Sequence, residues 1–111
     1  MAVSEALPEV PAAAVPDQAW LLDVREDDEW AAGHVPGATH IPLGQLGTRT
    51  GELPPDDTIY VICRSGMRSA RAAQALSGAG WQAINVAGGM QEWAEAGLPM
   101  VTDSGATPFV A

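Results

Sequence analysis

At 111 residues the chain is sized for one domain, which can bury roughly two thirds of the surface its unfolded form exposes. Its formal net charge of -9, with arginine supplying all five basic residues, sets an overall field against nucleic acid and anionic membranes. Apolar residues make up 47% of it but only in short runs, far below the ~20 consecutive residues that span a bilayer, so a soluble protein is expected.

The N-terminal stretch MAVSEALPEV carries Glu5 and Glu9 and no basic residue, so it lacks the charged start and apolar middle of a secretory signal; a cytoplasmic location is the expectation. A weak strand candidate lies near Val10. WLLDV, 20–24, reads as a strand covered on both faces, because it is continuously apolar rather than alternating. EDDEWAAG follows with acids in its first turn and a stop at Gly33, which predicts a helix. HVPGA then marks a tight connection, and a second weak strand is placed at 40–42. TIYVI, 58–62, is the next buried strand, and the spacing predicts a helix over 68–79, ended by Gly80, whose Ala72, Ala73, Leu76 and Ala79 form a small-residue stripe suited to a sheet. AINV, 83–86, is another strand; AGGM makes a tight turn through Gly88 and Gly89, and MQEWAEAG runs as a helix to Gly97. The remainder, 100–111, has no clear periodicity, and its end is expected to be loosely held. Strands and helices in alternation define an α/β class with a central, mostly parallel sheet.

One cysteine rules out an internal disulfide, and two scattered histidines beside it do not make a metal-ligand pattern, so no metal site is expected. That cysteine, Cys63, opens CRSGMR, 63–68, between a strand and a helix, where open α/β sheets bind ligands. Arg64, Arg68 and Arg71 lie in or just after this loop, and residues 58–91 contain no acid, so an acidic chain keeps one positive neighbourhood at its thiol. Every residue over 64–69 offers a backbone N–H, and Gly66 can take a positive φ that curls those donors into an anion-binding nest. A helix N-terminus gives up to ~2 kcal/mol to a well-placed anion. At ~1.4 kcal/mol per pKa unit, the dipole alone lowers a thiol by about one to one and a half units. From a free-thiol value of ~8.5, with N–H groups and arginines added, a thiolate at neutral pH is expected, which makes Cys63 an activated nucleophile.

LLDVRE at 21–26, GHVPGATHIPL at 33–43, CRSGMRS at 63–69 and GGMQEW at 88–93 occur in the order of a known family. Together they resemble a single-domain rhodanese, a sulfurtransferase, over about 7–99 of one domain spanning 1–111. The resemblance implies a central five-stranded, mostly parallel sheet flanked by helices on both faces, and a six-residue active loop opened by Cys63. It implies that the Cys63 thiolate takes the outer sulfur of a small anionic donor such as thiosulfate as a persulfide, then hands it to cyanide, a small thiol or a protein cysteine, with no metal and no organic cofactor. It implies that N–H groups of Arg64, Ser65, Gly66, Met67 and Arg68 hold the sulfur's charge while the Arg64 and Arg68 guanidiniums attract the donor. Some thiosulfate-specific members carry lysine at the third loop position, where this chain has Ser65, which leaves the donor open.

Phosphatases and arsenate reductases also use a cysteine loop before a helix, but they place five residues between cysteine and the clamping arginine. Here Arg68 is five positions after Cys63, the sixth is Ser69, and Ile62 rather than histidine precedes the thiol. A non-catalytic module that binds a partner or senses redox state through an exposed, low-pKa thiol is the second class of reading. Asp23 and Arg25 fall on one face by period two and are expected to pair and brace the loops at the sheet edge. His34 is read as structural, Trp30 and Trp93 as helix-face core residues, and Met67 as a residue at the pocket mouth or in solvent.

Overall fold

The structure, a computed structural model, describes residues 8–111; most of the acidic N-terminal stretch, 1–7, lies outside the described residues. Five parallel strands form one sheet: β1 (Glu9–Pro11), β2 (Trp20–Asp23), β3 (Thr39–His40), β4 (Ile59–Ile62) and β5 (Ala83–Ala87), in the order β1-β5-β4-β2-β3. The edge strands are the short ones. β3 stops at His40 before the expected 42, since Pro42 has no N–H to add to a ladder.

Period-two alternation sorts the two cores. Leu22, Val24, Ile59, Val61 and Ala83 face one side, where they meet Ala72, Ala73 and Leu76 of α2 (Met67–Gly78). Leu21, Ile62 and Val86 face the other and meet Met90 and Trp93 of α3 (Gly89–Glu95). Continuous apolar strands are what a sheet buried on both faces demands. Ala79 does not extend the stripe: it caps α2 and is exposed.

Between β2 and β3 lies α1 (Asp27–Ala32), whose first turn holds Asp27, Asp28 and Glu29 against its dipole's positive end. Trp30 on this helix is not a core residue. It is half-buried, with the His34 ring stacked on it at 3.6 Å between centroids and the His40 ring at 4.8 Å. Trp93 is buried, and its indole N–H donates to the Pro99 carbonyl at 2.8 Å.

The C-terminal segment is held, contrary to the loose end expected. Val101 and His34 exchange backbone hydrogen bonds of 2.8 and 3.0 Å, Phe109 N–H donates to Ala32 O at 3.0 Å, and Val110 packs on the α3-side core. Gly33 makes this docking possible: a Cβ there would lie 2.8 Å from the Phe109 carbonyl oxygen. Among the described residues no helix is long and apolar enough to cross a membrane.

Candidate active site

Cys63 follows β4 and continues its alternation, so its side chain lies on the α2 side of the sheet among buried apolar residues, with 1% of its surface exposed. It is nonetheless not a plain core residue. The Gly66 N–H donates to Sγ at 3.1 Å, and the Ser69 hydroxyl reaches Sγ at 3.3 Å. Gly66 takes φ 102° as the N-cap of α2, the positive φ that turns its amide inward. Helix α2 therefore starts at Met67, one residue before the expected 68, and the turn between thiol and helix is correspondingly short.

The turn is held from behind. Amides at the start of α3 take the loop's carbonyls, Met90 N–H donating to Cys63 O at 2.8 Å and Gln91 N–H to Arg64 O at 3.0 Å. With those carbonyls drawn outward, the following N–H groups are left to face the sulfur. Gly89 permits the approach, because a Cβ on it would sit 2.4 Å from the Cys63 carbonyl oxygen, and its φ is +55°. The glycine pair read from sequence as a tight connection thus also shapes the loop of β4.

Burial pushes the Cys63 thiol up, but hydrogen bonds from the Ser69 hydroxyl and from the Ser69, Gly66 and Ser65 amides outweigh it, and the thiol sits below its ordinary value. The leading donors are fewer than the whole loop offers: the Ser65, Gly66 and Ser69 amides and the Ser69 hydroxyl.

The loop guanidiniums are engaged elsewhere. Arg64 is exposed, and its Nε–H donates to the Ala111 carbonyl at 2.9 Å. Arg68 makes a bidentate pair with Glu29 of α1, Nη1 to Oε1 at 2.7 Å and Nη2 to Oε2 at 2.8 Å. The sequence leaves open which of the two arginines faces a bound anion, and in the structure each has an oxygen partner. Ser65 and Met67 are exposed at the tip of the loop, Met67 at 75%.

Asp23 and Arg25 pair as expected, and more completely. Both are fully buried; Arg25 Nη2 and Nε reach Asp23 Oδ2 at 2.8 and 3.1 Å, and Nε also reaches Oδ1 at 3.0 Å. The remaining guanidinium donors satisfy the carbonyls of Glu29 and Gly33 at 3.1 and 2.8 Å, so one side chain ties β2 to both ends of α1. Arg25 is committed to this brace.

Sequence reasoning missed Glu29 and Asn85. Glu29 reads as one more first-turn acid; only the fold brings it to Arg68. Asn85 carries a signal that could have been used, a lone amide inside the apolar AINV strand at a position facing α2. It is 2% exposed, and its Oδ1 lies 2.6 Å from the Ser69 hydroxyl.

The Arg68 guanidinium beside Glu29 holds that carboxyl well below the usual range, at about 2, against the opposing effect of burial. A carboxylate whose pKa falls on folding stabilises the fold above the unfolded value of about 4.5, and that contribution fades as pH drops toward 2. Glu29→Gln should therefore cost roughly 1–2 kcal/mol at pH 7, after screening at the Arg68 end. The gap to wild type should shrink steadily in urea titrations run below about pH 4.5. A gap independent of pH would mean that the bridge does not carry the stabilisation.

A parallel α/β sheet with a cysteine cradled at the C-terminal end of its central strand defines a class of loop-based thiol sites. The rhodanese-like domain signature matches residues 8–96, and the chain belongs to this family. Among its relatives is YrkF of Bacillus subtilis, 47% identical over 74 residues that make up 66% of this chain and 40% of that protein. A sulfurtransferase of Allochromatium vinosum is 37% identical over 86 residues, 77% of this chain and 80% of that one. A solved rhodanese-related protein from Thermoplasma volcanium superposes with a TM-score of 0.82 at 34% identity, covering 86% of this chain and 99% of that one. The chain thus spans less than half the length of YrkF and most of the length of the other two.

Proposed function

We propose that this domain is a sulfurtransferase that carries sulfane sulfur on Cys63 as a persulfide. The observation that carries the reading is a nearly solvent-free sulfur that receives the Gly66 amide and lies within reach of the Ser69 hydroxyl. The thiolate attacks the outer sulfur of the donor; a Cys63 Sγ–S bond forms as the donor's S–S bond breaks, and with thiosulfate the electron pair leaves on sulfite. A nucleophilic acceptor, a thiolate or cyanide, then attacks the outer sulfur and returns the Cys63 thiolate. Charge is conserved in each step, and the inward-facing donors stabilise negative sulfur without a general base.

Because Arg64 and Arg68 are already partnered, donor recognition relies less on free cations than on the reach of a narrow sulfur end into the cup. Phosphatase chemistry is disfavoured because Ser69, where a clamping arginine would fall, is turned toward the sulfur. A reducing compartment such as the cytoplasm would keep the thiol free.

Incubating the protein with excess thiosulfate and recording its intact mass tests the reading. One sulfur atom added per chain, removed on addition of cyanide, is expected. A mass unchanged by thiosulfate, by polysulfide and by a small-molecule persulfide alike would end it.

A further inference from the structure

The hydroxyl of Ser69 stands between two acceptors. It lies 3.3 Å from Cys63 Sγ and 2.6 Å from Asn85 Oδ1, and it has one hydrogen to give. The orientation of the Asn85 amide is fixed by its other end, where Nδ2 donates to the Gly66 carbonyl at 3.1 Å and to Glu9 Oε1 at 3.3 Å. A flipped amide would set its oxygen against both of those oxygens, so Oδ1 is the atom that faces Ser69 and it can only accept. Ser69 is wholly buried and Asn85 nearly so, which leaves little room for solvent to supply a substitute proton.

Resting on Cys63 as the transferring nucleophile, we infer that Asn85 competes with the Cys63 thiolate for the Ser69 hydroxyl proton and so sets how much of the thiol is ionised. In the neutral thiol, S–H points to a Ser69 lone pair and the hydroxyl donates to Asn85, so all three groups are satisfied. In the thiolate, the hydroxyl must turn to Sγ to stabilise it, and Asn85 Oδ1 is left without a donor in a buried site. In the persulfide the charge moves to the outer sulfur, and the hydroxyl is free to return to Asn85. The competition therefore raises the bare thiolate relative to the persulfide, which favours loading of sulfur over idle ionisation. Asn85 is a positioning residue here and touches neither donor nor acceptor.

The fixed charges around the sulfur are common to every variant that follows, except that the Glu9 carboxylate loses its Asn85 donor in Asn85→Leu. Arg68 with Glu29 faces it from α2 and α1, Arg64 lies on its own loop, and Glu9 of β1 reaches it through the Asn85 amide. The buried Asp23–Arg25 pair of the β2 end is closed on itself.

The test is the pH dependence of Cys63 alkylation by iodoacetamide in wild type, Asn85→Leu, Ser69→Ala and the double variant. Alkylation needs no sulfur donor, so its outcome stands whether or not the chain passes the mass test for transfer. Asn85→Leu should lower the midpoint by about one pH unit, a tenfold gain in thiolate fraction at a given pH below it. Ser69→Ala should raise the midpoint, and adding Asn85→Leu to it should change nothing further. A midpoint that is unmoved or raised in Asn85→Leu overturns the inference, as does an equal drop in the Ser69→Ala background, which would reflect a loosened loop. If Asn85→Leu does not fold, NMR of the Asn85 side-chain amide decides: it should shift with the thiol's own midpoint in wild type and stay constant in Ser69→Ala. A constant signal in wild type, or the same shift without the hydroxyl, rejects the competition.

Discussion

Cys63→Ser should reduce thiosulfate:cyanide turnover by at least ~10³-fold, to the background of the uncatalysed reaction, while leaving thermal stability close to wild type. A serine hydroxyl fits the same cup and can hydrogen-bond to the Gly66 amide and Ser69, so packing is conserved. It stays protonated at neutral pH and cannot hold a second sulfur. The size of the loss separates nucleophilic from binding roles, because a domain that only orients a donor would retain most of its rate. Retention of more than about a tenth of the activity in Cys63→Ser would transfer the chemistry to another group. In wild type the pH profile of the first half-reaction should rise through a midpoint below the ordinary thiol value, since the donors at the sulfur outweigh its burial.

The second large effect is on stability. Arg25→Met removes one member of a fully buried ion pair and strands the Asp23 carboxylate, a change that typically costs ~3–5 kcal/mol. For a domain of this size the melting temperature should fall by roughly 15–25 °C. Removing the charge from both sides, with Asp23→Leu added, should recover part of the loss, because no buried charge then remains. Recovery is incomplete: the Glu29 and Gly33 carbonyls still lack the donors that Arg25 supplied. Assayed below its melting range, Arg25→Met should keep the Michaelis constant for the donor within about threefold of wild type. A variant with normal stability and a much weakened donor interaction would reassign Arg25 to substrate binding.

The two predictions differ in how far the sequence alone could carry them. The strand 58–62, the helix beginning beside Gly66 and the thiol between them are local features, and local features leave a mark in composition and period. A continuously apolar run means two covered faces, glycine marks a positive φ, and Asp23 with Arg25 two residues apart means a shared face. Trp30 shows the limit of such reading. An aromatic on an amphipathic helix reads as core, yet this one is half-buried in a stack with two histidines, one of which, His40, comes from a different strand.

What the chain determined by itself was the alternation of buried strands and helices, the place of Cys63 at the exit of a buried strand, and the glycine that turns an amide toward it. Each of these depends on residues within a few positions of one another, where backbone sterics and side-chain period act directly. Only the tertiary structure decided the partners. Arg68 meets Glu29 across 39 residues of chain and Arg64 meets Ala111 across 47, Asn85 reaches the serine beside the thiol, and the α3 amides pull the loop's carbonyls outward. Hydrogen bonds and ion pairs are satisfied by whichever group the packing of the sheet brings within about 3 Å, and distance along the chain does not encode that choice.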